Sequence, residues 1–238
     1  MIIALIPARS GSKGVPNKNI KKIGGKSLLE WSINACKKSN LIDEIIISTD
    51  SIDYAEHAEK AGGKVPFIRP KDISLDTSTD YEFIKHALDW FNANGDLPEF
   101  IAHIRPTSPF RDPNIIDEAI QSFKSSTNNT ALRSIHPMAE SAYKTFEINN
   151  YGSLMTVGSK ETALDDANSA RQKFPKTYIA NGYIDVISSE FVIKNKKIHG
   201  DNVKPFITKT CHEIDCLEDF EILEFQLKKS PQIYTKVF

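Results

Sequence analysis

Short apolar runs alternate with longer amphipathic stretches over the first half of the chain. Four runs, Ile2–Ile6, Ile45–Thr49, Lys64–Ile68 and Phe100–Ile104, predict strands, and the first two have the continuous apolar character of strands covered on both faces. Helical periodicity occupies the stretches between them, and the connections are short. This alternation predicts an α/β fold built on a doubly wound, mostly parallel sheet.

Helix start and stop signals delimit the segments between these strands. Ser27 is suited to cap a first helix, and either Asp50 or Ser51 can cap a second helix that ends at Gly62-Gly63. Further helices are predicted for residues 79–92, for the segment that contains Ile115–Phe123, and for Leu217–Lys229. The last of these is expected to be the final helix of the chain.

The pattern changes after residue 130. Tyr143–Ile148 is predicted to be a strand with a turn after it at residues 149–152, and Tyr178–Ile187 to be a strand that returns to the core. The sequence between them is polar and poorly periodic. We therefore predict a single domain over residues 1–238, with an excursion at about residues 137–172 that is suited to an oligomer contact.

Composition is ordinary for a globular protein. The chain has 238 residues, a net charge of −1, and no apolar run near the roughly 20 residues that a membrane span needs. Near-neutral charge removes the global argument for nucleic-acid binding. Cys36, Cys211 and Cys216 form no CxxC pair and indicate a reducing compartment. Because no basic residues precede the first apolar run, we interpret it as a strand rather than a signal peptide, and we expect a cytoplasmic protein without membrane or nucleic-acid partners.

The first 29 residues contain no acidic residue and six basic ones. Several of these basic residues lie in a loop after the first strand, at the edge where α/β sheets bind ligands. Gly11 and Gly14 let backbone N–H groups approach a ligand, and Arg9, Lys13 and Lys18 offset polyanionic charge. The pattern favours a bound triphosphate, and a solvated basic loop is the alternative.

Neither of the two common nucleotide-binding motifs is present in this loop. The loop lacks the GxGxxG fingerprint, and Gly24–Ser27 imitates the end of a Walker A motif but has Ile20 where that motif requires glycine. A different kind of phosphate-binding loop is therefore needed.

A second candidate feature is the acidic segment 211–216. If this segment is a strand, Glu213 and Asp215 share a face, and paired carboxylates beside a triphosphate suit Mg²⁺. The alternatives are a solvent-facing acidic strand end, or Asp215 acting as the cap of the last helix. Cys211 and Cys216 lack the companion ligands of a zinc site.

A third feature extends from Arg171 to Gly182. Arg171 can make a forked contact with a carboxylate or phosphate. Asn181-Gly182 supplies an amide and a position of close backbone approach inside an apolar strand. A surface turn would explain the same residues, so this segment gains meaning only beside the other two features.

These pieces occur together, and in this order, in the acylneuraminate cytidylyltransferases, which make CMP-sialic acids. The chain resembles that family over nearly its whole length. The motifs that carry the resemblance are Ala8–Gly14 with Lys18-Asn19, Ser48–Asp50, Arg69-Pro70, Asp76-Thr77, Pro106–Arg111, Arg171-Gln172, Pro175, Asn181-Gly182 and Ile214-Asp215.

The resemblance implies a Rossmann-like nucleotidyltransferase domain, a smaller excursion that joins two subunits, and a homodimer. It also implies a reaction in which CTP and a nine-carbon 2-keto sugar acid give the CMP-sugar and pyrophosphate, with Mg²⁺ as cofactor. The catalytic roles that it implies fall on Arg9, Lys13 and Asp215. The implied nucleotide-binding residues are Arg9, Gly11, Ser12, Lys13, Lys18, Asn19, Arg69 and Asp80; the sugar-binding residues are Arg105, Lys144, Arg171, Gln172 and Asn181; and the metal ligands are Asp215 and Glu213.

Four positions depart from the pattern of the sialic acid enzymes. Arg105 stands where glutamine is frequent, Asp185 where tyrosine is frequent, and Ile179 where an arginine is usual. Glu213 replaces an aspartate, which keeps the charge but extends the reach. Because the nucleotide half matches better than the sugar half, a related nonulosonic acid such as legionaminic or pseudaminic acid is a candidate substrate.

Two other functions remain open from the sequence. The first is another sugar nucleotidyltransferase, which uses a 3-deoxy-octulosonic acid or a different nucleotide. The second is a non-catalytic nucleotide- or sugar-binding protein of the same fold, which would bind CTP without metal-dependent turnover.

Overall fold

The computed structural model describes residues 1–157 and 164–238. Its strands are β1 (Ile2–Pro7), β2 (Lys22–Ile23), β3 (Lys26–Ser27), β4 (Glu44–Ser48), β5 (Phe100–His103), β6 (Ala131–Pro137), β7 (Phe146–Ile148), β8 (Leu154–Thr156), β9 (Tyr178–Ser188) and β10 (Val203–Ile207). Its helices are α1 (Leu28–Lys37), α2 (Ile52–Ala61), α3 (Asp80–Ala93), α4 (Pro113–Lys124), α5 (Ser189–Asn195), α6 (Leu217–Lys229) and α7 (Gln232–Val237). Among the described residues, no helix is both long enough and apolar enough to span a membrane.

Six strands form the central sheet in the order β10-β6-β9-β5-β1-β4. Strand β1 pairs in parallel with both β4 and β5. Strand β9 runs antiparallel to β5, and its register places Asp185 opposite His103. The predicted α/β class and mostly parallel sheet are confirmed, and β9 makes the sheet mixed.

The side chains of β1 alternate between two apolar cores, one on each face of the sheet. Ile2, Ala4 and Ile6 belong to a core that also contains side chains of α1, α4 and α6. Ile3 and Leu5 belong to a second core that contains side chains of α3. A strand covered on both faces has no position for a polar side chain, which explains the continuous apolar run.

Capping side chains determine where the first two helices begin. The Ser27 Oγ accepts a hydrogen bond from the Glu30 N–H (3.1 Å), and the Glu30 carboxylate accepts one from the Ser27 N–H (2.8 Å). Helix α2 is capped by Ser51, whose Oγ accepts from the Tyr54 N–H (3.3 Å). Of the two predicted caps for α2, Ser51 is therefore correct, and Asp50 does not cap this helix.

The predicted strand Lys64–Ile68 is wrong. This segment makes only isolated parallel bridges, from Lys64 to Ile46 and from Ile68 to Thr49. Pro66 lies between the two bridges and has no N–H to donate, so the ladder cannot continue through it.

The predicted strand Tyr143–Ile148 begins later than expected, at Phe146. Residues Ala142–Lys144 form a turn of 3₁₀ helix in which the Ser141 Oγ accepts a hydrogen bond from the Tyr143 N–H (3.3 Å). A serine hydroxyl that bonds to the nearby backbone competes with the extended conformation here.

The C-terminal helices differ in two ways from the prediction. Helix α6 has the predicted bounds, but α7 follows it after Pro231, so α6 is not the final helix. Helix α5 was not predicted, because its seven residues are too few for helical periodicity to stand out.

The chain divides into two compact units. The first contains Met1–Ser134, Asn181–Phe206 and Cys211–Phe238, and the second contains Ile135–Ala180 and Ile207–Thr210. The predicted excursion at 137–172 falls in the second unit, but its residues 158–163 lie outside the described residues. Within the second unit, β7 and β8 form an antiparallel hairpin, and the Asn149 Oδ1 accepts hydrogen bonds from the Tyr151 and Ser153 N–H groups at its turn.

Candidate active site

A pocket of about 460 Å³ opens in the first unit at the carboxyl ends of β1 and β5. Its walls come from the loop after β1, the segment that leads into α3, the residues after β5, and Asp215 shortly before α6. The lining residues are Pro7, Arg9, Ser12, Lys13, Gly14, Lys18, Asn19, Arg69, Ile73, Leu75, Asp76, Ser78, Thr79, Asp80, Phe83, Arg105, Pro106, Thr107 and Asp215. The carboxyl edge of parallel strands is where α/β sheets bind ligands, as the sequence predicted for the basic loop.

Polar side chains hold the loop after β1 in place. The Ser10 N–H and Oγ both donate to the Asp50 carboxylate, at 2.8 and 3.0 Å. The buried Asn19 donates from Nδ2 to the Arg9 carbonyl oxygen (3.1 Å). The backbone on each side of Arg9 is therefore fixed before any ligand arrives. Gly11 does not line the pocket, and a Cβ there would meet no protein atom within 4 Å, so contacts within the protein do not require glycine at this position.

The same loop is tied to the segment before α6. The Lys18 Nζ donates to the Ile214 carbonyl oxygen (2.8 Å). A Cβ on Gly14 would lie only 2.7 Å from the Asp215 carbonyl oxygen, so the close approach of the two backbones requires glycine. One pocket is consequently lined by Arg9 and Lys13 and by Asp215, which lies about two hundred positions later in the sequence.

Asp76 occupies the position between the two most prominent cations of the loop. Its carboxylate oxygens lie 2.6 Å from the Arg9 Nη2 and 2.6 Å from the Lys13 Nζ. The hydrogen bonds from Lys13 and Arg9 lower the pKa of Asp76. An anion with two oxygens thus already fits between these cations, which is the geometry that a phosphate group would use. From the sequence, Asp76 belongs to a motif of the family resemblance and has no predicted role.

Arg69 is the clearest unpaired donor in the pocket. It is only 4% exposed, and its Nε and Nη2 have no hydrogen-bond partner among the described residues. Its guanidinium carbon lies 5.5 Å from the centre of the Phe83 ring. Burial lowers the pKa of Arg69 to about 10, although Asp50 acts in the opposite direction. Buried donors without partners are costly, so acceptor atoms of a ligand would be favoured here.

Arg105 enters the pocket from the end of β5 with both of its Nη atoms engaged. Nη2 lies 2.7 Å from the Asp80 carboxylate and Nη1 lies 3.0 Å from the Asp185 carboxylate. The buried Arg111 supports the surrounding backbone, because it donates to the carbonyl oxygens of Arg105, Gly182 and Tyr183. Asp80 was predicted as a nucleotide-binding residue and Arg105 as a sugar-binding residue. Their ion pair was not predicted.

Segment 211–216 is not a strand, so the predicted shared face of Glu213 and Asp215 is wrong. The N–H groups of Asp215 and Cys216 both donate to the Asp219 carboxylate, at 2.7 and 2.8 Å, which turns the chain into α6. Cys216, not Asp215, is the capping residue of that helix, which excludes the capping alternative. The Glu213 carboxylate accepts a hydrogen bond from the Gly182 N–H and does not line the pocket.

The donor set at Asp215 fits a magnesium ion that is shared with phosphates. The Asp215 carboxylate is exposed in the pocket wall and has no hydrogen-bond or ion-pair partner among the described residues. Mg²⁺ retains several waters and commonly takes one or two carboxylates together with substrate phosphates, so one such carboxylate suffices. The described residues contain no group of three or more His, Cys, Asp or Glu side chains that could enclose a metal without a substrate.

None of the remaining predicted sugar-binding residues is among the lining residues of this pocket. Asn181, at the start of the buried part of β9, accepts a hydrogen bond from the Ser134 Oγ (3.1 Å) through its carbonyl oxygen and does not line the pocket. Lys144, Arg171 and Gln172 belong to the second unit. There the Lys144 Nζ donates to the Ser169 carbonyl oxygen, the Arg171 Nη2 donates to the Met138 carbonyl oxygen, and Gln172 is exposed.

Comparison with known proteins agrees with the resemblance found in the sequence. A family model described as cytidylyltransferase matches residues 3–211. The CMP-N,N'-diacetyllegionaminic acid synthase of Legionella pneumophila is 30% identical over 226 residues, which cover 94% of this chain and 94% of the relative. The N-acylneuraminate cytidylyltransferase of Escherichia coli is 32% identical over 234 residues, which cover 97% of this chain and 53% of the relative.

A solved structure of CMP:2-keto-3-deoxy-manno-octonic acid synthetase complexed with CTP shares the fold. It superposes with a TM-score of 0.73 at 12% sequence identity, and the match covers 96% of this chain and 99% of that one. At this identity the likeness concerns the fold.

Proposed function

Because the chain belongs to the cytidylyltransferase family, we propose that it joins CTP to a nine-carbon 2-keto sugar acid and releases pyrophosphate. The observation that carries the proposal is the convergence, in one pocket, of Arg9, Lys13 and Lys18 with the Asp215 carboxylate and the unpartnered Arg69 donors. A triphosphate requires several cations, and a metal shared with it requires a nearby carboxylate. The pocket supplies both.

The loop after β1 would bind the triphosphate. Arg9 and Lys13 already hold an anion between them, the Asp76 carboxylate, and CTP phosphates would take its place. Ser12 and Asn19 line the same wall and offer further polar groups. Arg69 would donate from its unpartnered N–H groups to acceptor atoms of the nucleoside. The cytosine ring would then lie near Phe83.

The reaction we propose is an in-line displacement at the α-phosphorus of CTP. The anomeric 2-hydroxyl of the sugar acid forms a new bond to the α-phosphorus and loses its proton to solvent, and the bond from that phosphorus to the bridging oxygen of pyrophosphate breaks. Arg9 and Lys13 would offset the negative charge that builds up on the transferred group and on the leaving pyrophosphate. Of the carboxylates in the pocket wall, Asp76 and Asp80 are engaged by cations, and Asp215 has no partner among the described residues.

Asp215 is the residue that would hold Mg²⁺ in this site. The ion, when bound, offsets the charge of the phosphate oxygens. Glu213 was predicted as a second ligand, and we do not retain it in the proposal, because its carboxylate accepts a hydrogen bond from the Gly182 N–H.

The acceptor that we propose is a nonulosonic acid of the sialic, legionaminic or pseudaminic type. Near-full-length similarity to a CMP-N,N'-diacetyllegionaminic acid synthase, together with similarity to an N-acylneuraminate cytidylyltransferase, supports this class. Such a product would be an activated precursor for cell-surface glycans.

A substrate panel tests the proposal directly. The protein is incubated with Mg²⁺, CTP and one acid at a time from sialic, legionaminic, pseudaminic and 3-deoxy-octulosonic acids, and pyrophosphate release is measured. We expect turnover with a nonulosonic acid and CTP, and little with ATP, GTP or UTP. Preference for the octulosonic acid would show that the proposed nonulosonic acid is not the substrate. CTP binding without turnover on any acid would contradict the proposal that the protein is an enzyme.

We further propose that the protein is a homodimer joined through the β7–β8 hairpin. This hairpin exposes apolar side chains that a monomer would leave in water, with Ile148 at 73% exposure and Phe146, Leu154 and Met155 also exposed. Sedimentation at micromolar concentration is expected to give a dimer, and Ile148→Asp to give a monomer. A wild-type monomer would contradict the proposal, and Ile193→Asp serves as the control, since Ile193 is an exposed apolar residue of the first unit.

We place the reaction in the cytoplasm, where CTP is available. The three cysteines, Cys36, Cys211 and Cys216, are free thiols in the structure, which is consistent with a reducing compartment. Cell fractionation with antibody detection would test the location, and recovery in a secreted or membrane fraction would contradict it.

A further inference from the structure

Arg105 is held between two carboxylates that come from different elements. Asp80 is the first residue of α3, and Asp185 lies in β9. The guanidinium lies 2.7 Å from one carboxylate and 3.0 Å from the other, and its side chain is 21% exposed. A long side chain fixed at both Nη atoms has lost the freedom to swing, so Arg105 is oriented before a ligand binds.

Asp185 is an unusual residue for the interior position that it occupies. It is completely buried, and three other polar side chains surround it: His103 at 3.8 Å, His199 at 3.6 Å and Arg133 at 3.9 Å. Burial, with the charge of Arg105 acting in the same direction, lowers the pKa of His103 to about 3, so that ring is neutral at physiological pH. Arg105 is thus the closest fixed cation to Asp185.

A buried ion pair is a poor way to stabilise a protein. The cost of removing two charges from water commonly equals or exceeds their attraction, and an apolar pair of similar volume is frequently as stable. A buried carboxylate beneath a pocket-lining arginine is therefore better explained by what it does to that arginine. Arg105 has five N–H donors, of which two are used by the carboxylates, and no other partner is present among the described residues.

The charge around Arg105 also indicates what it binds. Two carboxylates contact its single positive charge, and Arg133 lies 3.9 Å from one of them, that of Asp185. In the loop after β1, Arg9 and Lys13 share one exposed carboxylate, that of Asp76, and Lys18 donates a hydrogen bond to a backbone carbonyl oxygen. A polyanion would therefore bind preferentially at the basic loop after β1, and uncharged oxygen acceptors would bind preferentially at Arg105.

We propose that Asp185 is a positioning residue that, together with Asp80, fixes Arg105 so that its remaining N–H groups bind hydroxyl or acyl-amide oxygens of the sugar acid. This inference rests on the proposed function, and it assigns selectivity for the acceptor sugar to the Asp80–Arg105–Asp185 triad. Asp185 itself makes no contact with the substrate. Its effect passes through Arg105.

A double-mutant cycle tests the inference with the best acid from the panel. Kinetic constants for the sugar acid and for CTP are measured for wild type, Asp185→Asn, Arg105→Gln and the double variant. We expect Asp185→Asn to raise KM for the sugar acid about tenfold, or about 1.4 kcal/mol, with KM for CTP changed less than twofold. The double variant is expected to be no worse than Arg105→Gln alone, because Asp185 acts only through Arg105.

Asp117→Asn is the matched control, because Asp117 accepts hydrogen bonds from the Asn40 and Leu41 backbone, outside the pocket. It can lower the thermal midpoint, but it should leave KM for the sugar acid unchanged. If Asp185→Asn does not fold, Asp80→Asn is substituted in the same cycle, since it removes the other carboxylate from Arg105. Additive effects in the cycle, or a change in KM for CTP in place of KM for the sugar acid, would overturn the inference.

Failure of the inference and failure of the proposed function give different results. If wild type turns over a nonulosonic acid but the two substitutions act additively, the proposed function stands and the positioning role is wrong. If wild type turns over no sugar acid, the proposed function is wrong, and the inference falls with it.

Discussion

The two walls of the pocket use arginine and lysine in opposite ways. At the loop wall, formed by Arg9, Lys13 and Lys18, the cations are accessible, and the Lys13 side chain is 83% exposed. At the Arg105 wall, formed by Arg105, Asp80 and Asp185, the cation is half-buried and held by two carboxylates, one of them fully buried. The first wall offers charge, and the second offers a fixed direction.

The difference follows from how water screens the two kinds of ion pair. Exposed pairs such as Lys13–Asp76 contribute little and exchange partners readily. A buried pair such as Arg105–Asp185 is costly to break, because the remaining charge is left without a partner in a medium of low dielectric constant. Exchange suits a triphosphate that must bind and leave as pyrophosphate, and rigidity suits discrimination between similar sugars.

The largest effect is expected from removing the carboxylate of Asp215, which lines the same pocket as both walls. Asp215→Asn should reduce kcat by about 10³-fold, because the site loses the charged oxygen that would hold the metal. The thermal midpoint should not change, since the Asp215 side chain has no partner among the described residues. Steady-state kinetics over a range of Mg²⁺ concentrations provide the measurement.

The control for this variant is Glu221→Gln, which removes an exposed carboxylate from α6 outside the pocket and should behave as wild type. Near-normal turnover of Asp215→Asn in saturating Mg²⁺ would remove the proposed metal site.

A somewhat smaller loss is expected at the loop wall. Lys13→Ala should lower kcat/KM for CTP at least about 10²-fold, the scale of losing one fixed charge contact to a phosphate group. Lys22→Ala is the comparison, because Lys22 is also exposed and basic but does not line the pocket. If both variants lose the same small factor, the loop acts only through its overall charge, and the contrast between the two walls disappears.

At the Arg105 wall the expected effect is on stability in acid. Burial by itself raises the pKa of Asp185, but the interaction with the His199 ring, 3.6 Å away, and the charge of Arg105 outweigh it and lower the pKa to about 2. A folded-state pKa below the unfolded value contributes stability at pH values above about 4, and this contribution is lost as the pH falls toward 2. The shift corresponds to about 2 kcal/mol.

Urea denaturation of wild type and Asp185→Asn between pH 5 and pH 2 measures this contribution. The free energy of unfolding of the variant should fall less steeply with decreasing pH than that of wild type. Parallel curves would show that Asp185 does not carry the lowered pKa.

The smallest effect concerns the carboxylate that CTP would displace. Asp76→Asn removes the anion that bridges Arg9 and Lys13, so KM for CTP should fall by about two- to fivefold, the range expected for exposed ion pairs. Isothermal titration with CTP in the absence of sugar acid gives an independent measurement. Weaker CTP binding in this variant would show that Asp76 contributes to the nucleotide site and does not merely occupy it.

Local signals in the sequence predicted much of the fold. The apolar run of β1 and the Ser27 and Ser51 caps each depend on neighbouring residues, so they could be identified without a structure. The two wrong strand predictions also have local causes, each of which depends on a single residue. Pro66 interrupts a ladder, and the Ser141 hydroxyl favours a turn where an apolar pattern suggested a strand.

The basic residues of the candidate site were predicted better than its acidic residues. The basic loop was found because its cations are close in sequence and free of acids. The predicted shared face of Glu213 and Asp215 was wrong, because it assumed a strand where the Asp219 carboxylate stabilises a turn. Asp76 and Asp185 were quoted for their positions alone, since neither has a nearby residue in the sequence that reveals its partner.

The sequence by itself determined the α/β alternation, the helix caps and the location of the cationic loop. Those features are governed by interactions between residues a few positions apart, and such interactions are visible as patterns. Only the tertiary structure decided that Lys18 reaches the Ile214 carbonyl, that Asp76 lies between Arg9 and Lys13, and that Arg105 is held by residues from α3 and β9. Contacts of that kind depend on how distant segments meet at the carboxyl edge of the sheet, and strand order and packing set that meeting.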